Sequence, residues 1–139
     1  MSDIEYLDQL PDATGFLRLF AAAGWTVDTR DDRLERAIAA SSHAVSAYAG
    51  ERLVGMGRTL SDGAIHALIV DVIVDPAWQG RGIGREIVSR LVARCLDEGI
   101  EAIQLFAADG KAPFYEKLGF VARESEAPGM QLERPPLSR

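Results

Sequence analysis

Glycine alternates with charged and branched residues in Gln79-Gly80-Arg81-Gly82-Ile83-Gly84-Arg85, a pattern suited to holding an anion. Before it, Ile69–Val74 is β-branched throughout except at Asp71, and Pro76 with Trp78 stops the run, so it reads as a largely buried strand. After it, the apolar positions 83, 87, 88, 91, 92, 95 and 96 fall on one stripe of an amphipathic helix. A glycine turn feeding a helix leaves backbone N–H groups unpaired at the positive end of the helix dipole. Missing side chains at 80, 82 and 84 let a phosphate approach, and Arg81 and Arg85 add positive charge, so a pyrophosphate is expected there.

Spacing separates this loop from two others. A Walker loop ends in Gly-Lys-Ser/Thr, whereas Gly84 is followed by Arg85-Glu86. A dinucleotide fingerprint requires a glycine three residues after its second, and counting from Gly82 that position is Arg85. Asp71 is the other residue out of place, because a carboxylate in an apolar strand is costly unless it is paired. Two roles are open to it: holding or deprotonating a substrate ammonium, or an ion pair with Arg58 on the neighbouring strand.

The elements that must position these residues follow from periodicity and turn chemistry. A short edge strand is expected at Ile4–Leu7. A helix with apolar positions 13, 16, 17, 20 and 23 is capped by Asp12 or Thr14 and stopped by Gly24. A second helix, capped by Asp31 or Asp32, turns Leu34, Ala37, Ile38 and Ser41 inward and Arg33, Glu35 and Arg36 to water. Trp25, between them, either shapes a pocket with segment 24–30 or plugs the core. Next come strands His43–Ala49, Arg52–Leu60 and Ala64–Val74, joined by turns at Gly50-Glu51 and Ser61-Asp62-Gly63. After the central helix, Gly99 is a stop and Ile100–Ala107 a parallel strand. A turn at Asp109-Gly110, a short helix Phe114–Leu118 ended by Gly119, a strand from Phe120 to Arg123 and a last edge strand Pro128–Leu132 complete the order, and Pro135-Pro136 ends regular structure.

Composition sets the outer bounds. A length of 139 residues fits one domain, 1–139. A net charge of −6 argues against a nucleic-acid surface and mildly favours cationic small molecules. No run is long and apolar enough to span a membrane, and the start Met1-Ser-Asp-Ile-Glu lacks the parts of a signal peptide, so the cytoplasm is expected. Cys95 stands alone. With His43 and His66 at no ligand spacing, no metal is expected.

The loop Gln79-Gly80-Arg81-Gly82-Ile83-Gly84 resembles the acetyl-CoA pyrophosphate loop of the GNAT N-acetyltransferases, Gln/Arg-x-x-Gly-x-Gly/Ala. Phe114-Tyr115-Glu116-Lys117-Leu118-Gly119-Phe120 is similar to the family's Phe-Tyr-x-Lys-x-Gly-Phe helix, and the order of elements is similar to the family's along almost the whole chain. The resemblance implies an α/β fold with a mixed sheet of six to seven strands and about four helices. It implies acetyl transfer to an amine, with a small primary amine as the first candidate. The alternatives are protein N-termini or lysines as acceptors, or a non-catalytic acyl-CoA-binding module. A weaker likeness to compact arylalkylamine-type members rests on Gly57-Arg58, Ser61-Asp62-Gly63, Asp71–Val74, Leu105-Phe106-Ala107 and Pro128-Gly129-Met130. A homodimer is compatible with the resemblance.

Residue by residue, the likeness implies that the acetyl-pantetheine arm lies along the backbone of Val72, Ile73 and Val74, with an N–H near Val72 or Val74 facing the oxyanion. It implies a pyrophosphate on Gln79, Gly80, Arg81, Gly82, Ile83, Gly84 and Arg85, and Tyr115 as proton donor to the leaving thiolate. Phe114 and Lys117 join the cofactor contacts. The chain departs from the family in Ala108-Asp109-Gly110-Lys111, where many members carry an asparagine bonded to the pantetheine; Asp109 and Lys111 are the candidates there.

Overall fold

The computed structural model describes residues 3–25 and 32–133. Contacts divide the chain into two compact units, Met1–Leu105 and Phe106–Arg139. The first is built on a five-stranded sheet of β1 (Ile4–Leu7), β2 (His43–Ala49), β3 (Arg52–Ser61), β4 (His66–Val74) and β5 (Ala102–Leu105), arranged in that order. β1 to β4 pair antiparallel, and β5 joins β4 in parallel after the crossover helix α3 (Ile83–Asp97). Helices α1 (Ala13–Ala22) and α2 (Arg33–Ala39) lie between β1 and β2 in the chain.

Alternation along the strands assigns the two faces of the sheet. Met56 packs with Phe16 and Leu19 of α1 and Leu34 of α2 in one core cluster. A Cβ placed on Gly55 or Gly57, the neighbours of Met56, would instead meet Ile83, Ile87 and Leu91 of α3. Successive residues point to opposite faces, so α1 and α2 cover one face and α3 the other. The α3 face is the tighter of the two. At Gly57 a methyl group would stand 2.8 Å from Ile87 and 3.1 Å from Leu91, so the helix lies on bare backbone.

The α1 boundaries agree with the sequence reading. Asp12 caps the helix, its Oδ1 accepting the Gly15 N–H at 2.8 Å, and Gly24 follows its end at φ 81°. Leu19, absent from the expected apolar stripe, is fully buried. In α2, Asp32 is the N-cap residue, yet its carboxylate accepts from Arg36 Nε at 3.0 Å rather than from a backbone amide. Asp31, segment 26–30 and Pro135-Pro136 lie outside the described residues. On α3 the stripe holds at Ile83, Ile87, Val88, Leu91 and Cys95, but Leu96 is 61% exposed.

Other boundaries move for identifiable reasons. β4 begins at His66 rather than at 64, because Asp62 Oδ1 accepts the N–H groups of Ala64, Ile65 and His66 and wraps that stretch into the turn. Those three amides hold the Asp62 carboxyl below the usual carboxylate range. β5 is trimmed to Ala102–Leu105.

The second unit contains helix α4 (Ala112–Glu116), with Pro113 in its first turn and Gly119 beyond it at φ 98°. Neither strand expected after this helix forms among the described residues, which leaves five strands instead of six or seven. Glu124–Ala127 closes a turn instead: the Ala127 N–H donates to the Glu124 carbonyl and Arg123 Nε to the Ala127 carbonyl. Val121, Met130 and Leu132 are exposed there, so alternating apolar residues found no sheet edge to bury against. Gly129 passes so close to the ring of Phe106 that a Cβ would stand 2.7 Å from it.

The closeness of α3 to β3 makes a direct prediction. Gly57→Ala should lower the unfolding free energy by about 1–3 kcal/mol, the usual cost of overpacking a filled interior, as read from urea unfolding at an unchanged m-value.

Candidate functional site

Gly57 faces two residues of β4 rather than one. The β3–β4 register runs Met56↔Ile73 and then Arg58↔Val70, so Asp71 and Val72 together oppose Gly57 in a β-bulge. Asp71 takes φ 55°, the left-handed region, and is the one non-glycine residue described there. Aspartate tolerates this conformation better than most side chains, and a β-branched residue would not. The insertion also changes which way the strand faces. Ala67 packs with Cys95 of α3, whereas Ile73 belongs to the cluster under α1 and α2, and in an unbulged strand these two positions would share one face.

The Asp71 carboxylate is paired. Arg58 Nε donates to Asp71 Oδ2 at 2.7 Å, with both side chains mostly buried. Arg58 Nη1 also donates to the Ala37 carbonyl and the Ser41 hydroxyl, each at 3.2 Å, and its guanidinium lies 6.0 Å from the centre of the Phe16 ring. Of the two roles the sequence left open, the geometry realises the ion pair.

Pairing between β4 and β5 ends at Ile69↔Leu105, and β4 continues to Val74. Among the described residues Val70–Val74 therefore have a strand on the β3 side only; the Val74 carbonyl accepts from Gln79 Nε2, and the other backbone groups on the edge away from β3 have no strand partner and suit an extended ligand. This stretch includes Val72, Ile73 and Val74. The Ile73 side chain is core, so only its backbone can serve.

At the end of β4 the chain enters a 3-10 turn, Pro76–Trp78. Asp75 secures it: Oδ1 accepts the Ala77 N–H at 2.9 Å and Oδ2 accepts from Arg52 Nη2 at 2.9 Å. The Ala77 amide, then Arg52, hold this buried carboxyl below the usual carboxylate range, against the opposing effect of burial. Gln79 Nε2 donates back to the Val74 carbonyl at 3.2 Å, and Arg81 lies over the Trp78 ring at 4.6 Å.

Gly80 and Gly82 then take φ 79° and 83°, and Gly82 is the N-cap of α3 with no side chain capping the helix. The first intrahelical bond runs from the Glu86 N–H to the Gly82 carbonyl, so the amides of Ile83, Gly84 and Arg85 have no intrahelical acceptor. Nothing lies within 4 Å of a Cβ position at Gly80 or Gly82. The turn thus fits a pyrophosphate on chemical grounds: uncapped amides, a helix dipole, open space and the exposed cations Arg81 and Arg85. Ile83 itself is buried, and only its backbone can join.

The remaining candidates belong to the second unit. Tyr115 is half-buried on α4, its ring edge-on to Phe114 at 4.9 Å and to Phe120 at 6.0 Å. Burial pushes the phenol pKa up, so the hydroxyl stays protonated at neutral pH. Asp109, Lys111 and Lys117 are exposed on the same unit. In the first unit, Trp25 is 42% exposed and packs edge-on against Phe20 at 5.3 Å, so it is not a core plug.

Sequence reasoning missed the roles of Gly57 and Arg52 and the contacts of Arg58 beyond its pair with Asp71. Gly57 carried a signal, since a glycine inside a strand marks a bulge or a close backbone approach. Arg52 and the anchoring side of Arg58 carried none, because their partners are distant in the chain.

A family model for the acetyltransferase (GNAT) domain matches residues 16–130. The chain belongs to this family. Among GNAT relatives, a protein of Oryza sativa subsp. japonica named serotonin N-acetyltransferase 2, chloroplastic, is 35% identical over 121 residues, covering 84% of this chain and 60% of the relative. A histone acetyltransferase of Glycine max is 40% identical over 89 residues, 64% of this chain and 38% of that protein. The chain spans between 31 and 40% of the length of the first curated relatives it matches. Among solved structures, a probable acetyltransferase from meticillin-resistant Staphylococcus aureus superposes with a TM-score of 0.84 at 26% identity, over 95% of this chain and 100% of that one. The fold is therefore the GNAT fold. No helix among the described residues is long and apolar enough to cross a membrane.

The glycine turn yields a test by calorimetry. Gly82→Val forces a β-branched residue into a left-handed conformation beside the uncapped amides, so acetyl-CoA affinity should fall at least tenfold while the circular dichroism spectrum stays native. A folded variant with unchanged affinity would remove the phosphate from this turn.

Proposed function

We propose that the chain is an acetyl-CoA-dependent N-acetyltransferase acting on a small primary amine by direct attack on the thioester. One observation carries this reading: β4 overruns β5 and leads straight into the uncapped turn at the N-terminus of α3. A rail of free backbone groups ending at an anion seat suits a thioester borne on a long pantetheine arm with a pyrophosphate at its far end. The coenzyme supplies an activated acetyl group; the chain supplies the seat, the oxyanion donor and a proton.

In this reading the exposed edge beyond the bulge donates a backbone N–H, from Val72 or Val74, to the carbonyl oxygen as negative charge develops there. A preorganised donor of this kind is worth about 2.7–4 kcal/mol of barrier. Tyr115 protonates the departing thiolate, an assignment that rests on the likeness of Phe114–Phe120 to the family helix and is supported by its raised pKa. Residues 1–139 are read as one domain, and the family match across residues 16–130, which includes residues of both units, supports that reading. The cytoplasm remains the location we assign from the sequence, and two plant relatives carry chloroplastic names of their own.

A small amine acceptor is supported by the relative named for serotonin, by the net charge of −6, and by Trp25, an exposed aromatic surface beside α1. The relative named a histone acetyltransferase favours a lysine side chain instead. Thiol release from acetyl-CoA, measured with arylalkylamines, polyamines, lysine-containing peptides and peptides with free N-termini, separates these. The small-amine reading predicts turnover with one of the first two classes. Turnover with peptides alone would overturn it.

Tyr115→Phe should lower kcat by about 10²–10⁴-fold, the range of a positioned general acid, with acetyl-CoA affinity unchanged. Attack needs the free amine, so for a substrate amine of pKa near 10 the wild-type rate should climb from pH 7 to 9. The raised phenol pKa means no loss of the donor in that window. Wild-type turnover in Tyr115→Phe would show that the thiolate takes its proton elsewhere.

A further inference from the structure

We infer that Asp71 serves the reaction through its backbone rather than through its carboxylate: with Arg58 it pins the β4 bulge in a left-handed conformation and ties it to the end of α2. Arg58 and Asp71 are thus positioning residues for the edge that takes the coenzyme arm. The inference rests on the function proposed above and adds a mechanism for how that edge is held.

Three observations meet here. Asp71 is the one described non-glycine residue with positive φ, and Gly57 opposite has no side chain to fill the space. The carboxylate is already engaged, with Arg58 Nε at 2.7 Å, and a carboxylate committed to a charge-assisted bond is a weak candidate to take a substrate proton. Arg58 also reaches the Ala37 carbonyl and Ser41 hydroxyl, at and just beyond the C-terminal end of α2. One guanidinium therefore joins the bulge to a helix on the same face of the sheet. A left-handed non-glycine residue persists only where its surroundings fix it, and the Arg58 fork is the contact that fixes this one.

The consequence is specific. If the carboxylate only stabilises a backbone conformation, then glycine, which enters that conformation freely, should replace it, and alanine should not. A carboxylate acting as base or ammonium anchor would be lost equally in both variants. Asp71→Gly and Asp71→Ala leave Arg58 equally without its carboxylate, with the Ala37 carbonyl and the Ser41 hydroxyl as its remaining partners, so the comparison between these two variants isolates the backbone preference at residue 71.

The experiment compares wild type, Asp71→Gly, Asp71→Ala and Arg58→Met, first by amide hydrogen exchange at residues 71–74. Exchange there should accelerate in Asp71→Ala and Arg58→Met and remain near wild type in Asp71→Gly. This readout needs neither coenzyme nor acceptor. Calorimetry with acetyl-CoA and with adenosine 3′,5′-bisphosphate, which lacks the pantetheine arm and keeps only one phosphate of the pyrophosphate, follows. Acetyl-CoA should bind roughly tenfold more weakly to Asp71→Ala and Arg58→Met, a loss of the size a strained residue would impose, while Asp71→Gly binds normally. The arm-less nucleotide should bind all four proteins alike. Exchange and affinity as poor in Asp71→Gly as in Asp71→Ala would overturn the inference, and so would an Arg58→Met protein indistinguishable from wild type. A wild type that binds neither ligand would sink the coenzyme reading, and the exchange pattern would still decide the role of the pair.

Discussion

One extra residue in β4 sets the direction of everything beyond it. Because Asp71 and Val72 together face Gly57, the strand buries Ala67 beneath α3 and Ile73 beneath α1, which a regular two-residue alternation could not do. The same insertion falls just where β5 stops pairing, so the bulge opens the half of β4 that has a free edge. Strand polarity, core formation and the edge proposed for the coenzyme thus share one backbone irregularity. Bulges sharpen local twist, and here the twist comes where two parallel strands cease to run together.

The glycines of β3 make the arrangement possible from the other side. With no side chains at 55 and 57, Ile83, Ile87 and Leu91 press α3 onto the sheet, and that contact fixes where the helix N-terminus stands relative to the end of β4. Asp75 holds the connection between them, accepting from Ala77 and from Arg52. A buried helix face thereby positions a turn whose Gly80 and Gly82 are exposed. The anion affinity proposed for that turn would come from amides that the helix cannot pair itself, so close packing at one end of the segment and open polarity at the other arise together.

Much of this was legible in the residues. The order of strand, glycine turn and helix could be read because glycine spacing, a β-branched run and a helical stripe are local patterns, and each requires only its neighbours in the chain. The two hairpins were legible for the same reason, apart from the two residues that Asp62 draws out of β4. The bulge was visible only as an anomaly, a carboxylate in an apolar strand, for which Arg58 on the neighbouring strand was one of two expected uses; the facing Gly57 becomes meaningful once register is known, and register is a long-range property. Leu96 matched the helical stripe yet is exposed, because it stands about 100° around the helix from buried Cys95, off the face that the sheet covers. The strands expected at Phe120–Arg123 and Pro128–Leu132 have suitable composition and no ladder, since strand propensity records fitness for a sheet and does not supply one.

The central claim is that the free edge of β4 beyond Ile69 and the uncapped amides of α3 form one continuous seat for acetyl-CoA. A crystal structure of the protein with coenzyme A tests it most directly. The account predicts pyrophosphate oxygens within hydrogen-bonding distance of the amides at Ile83, Gly84 and Arg85, and the pantetheine arm bonded to the backbone between Val70 and Val74. A coenzyme bound with its pyrophosphate away from this turn, or with its arm away from β4, would contradict it.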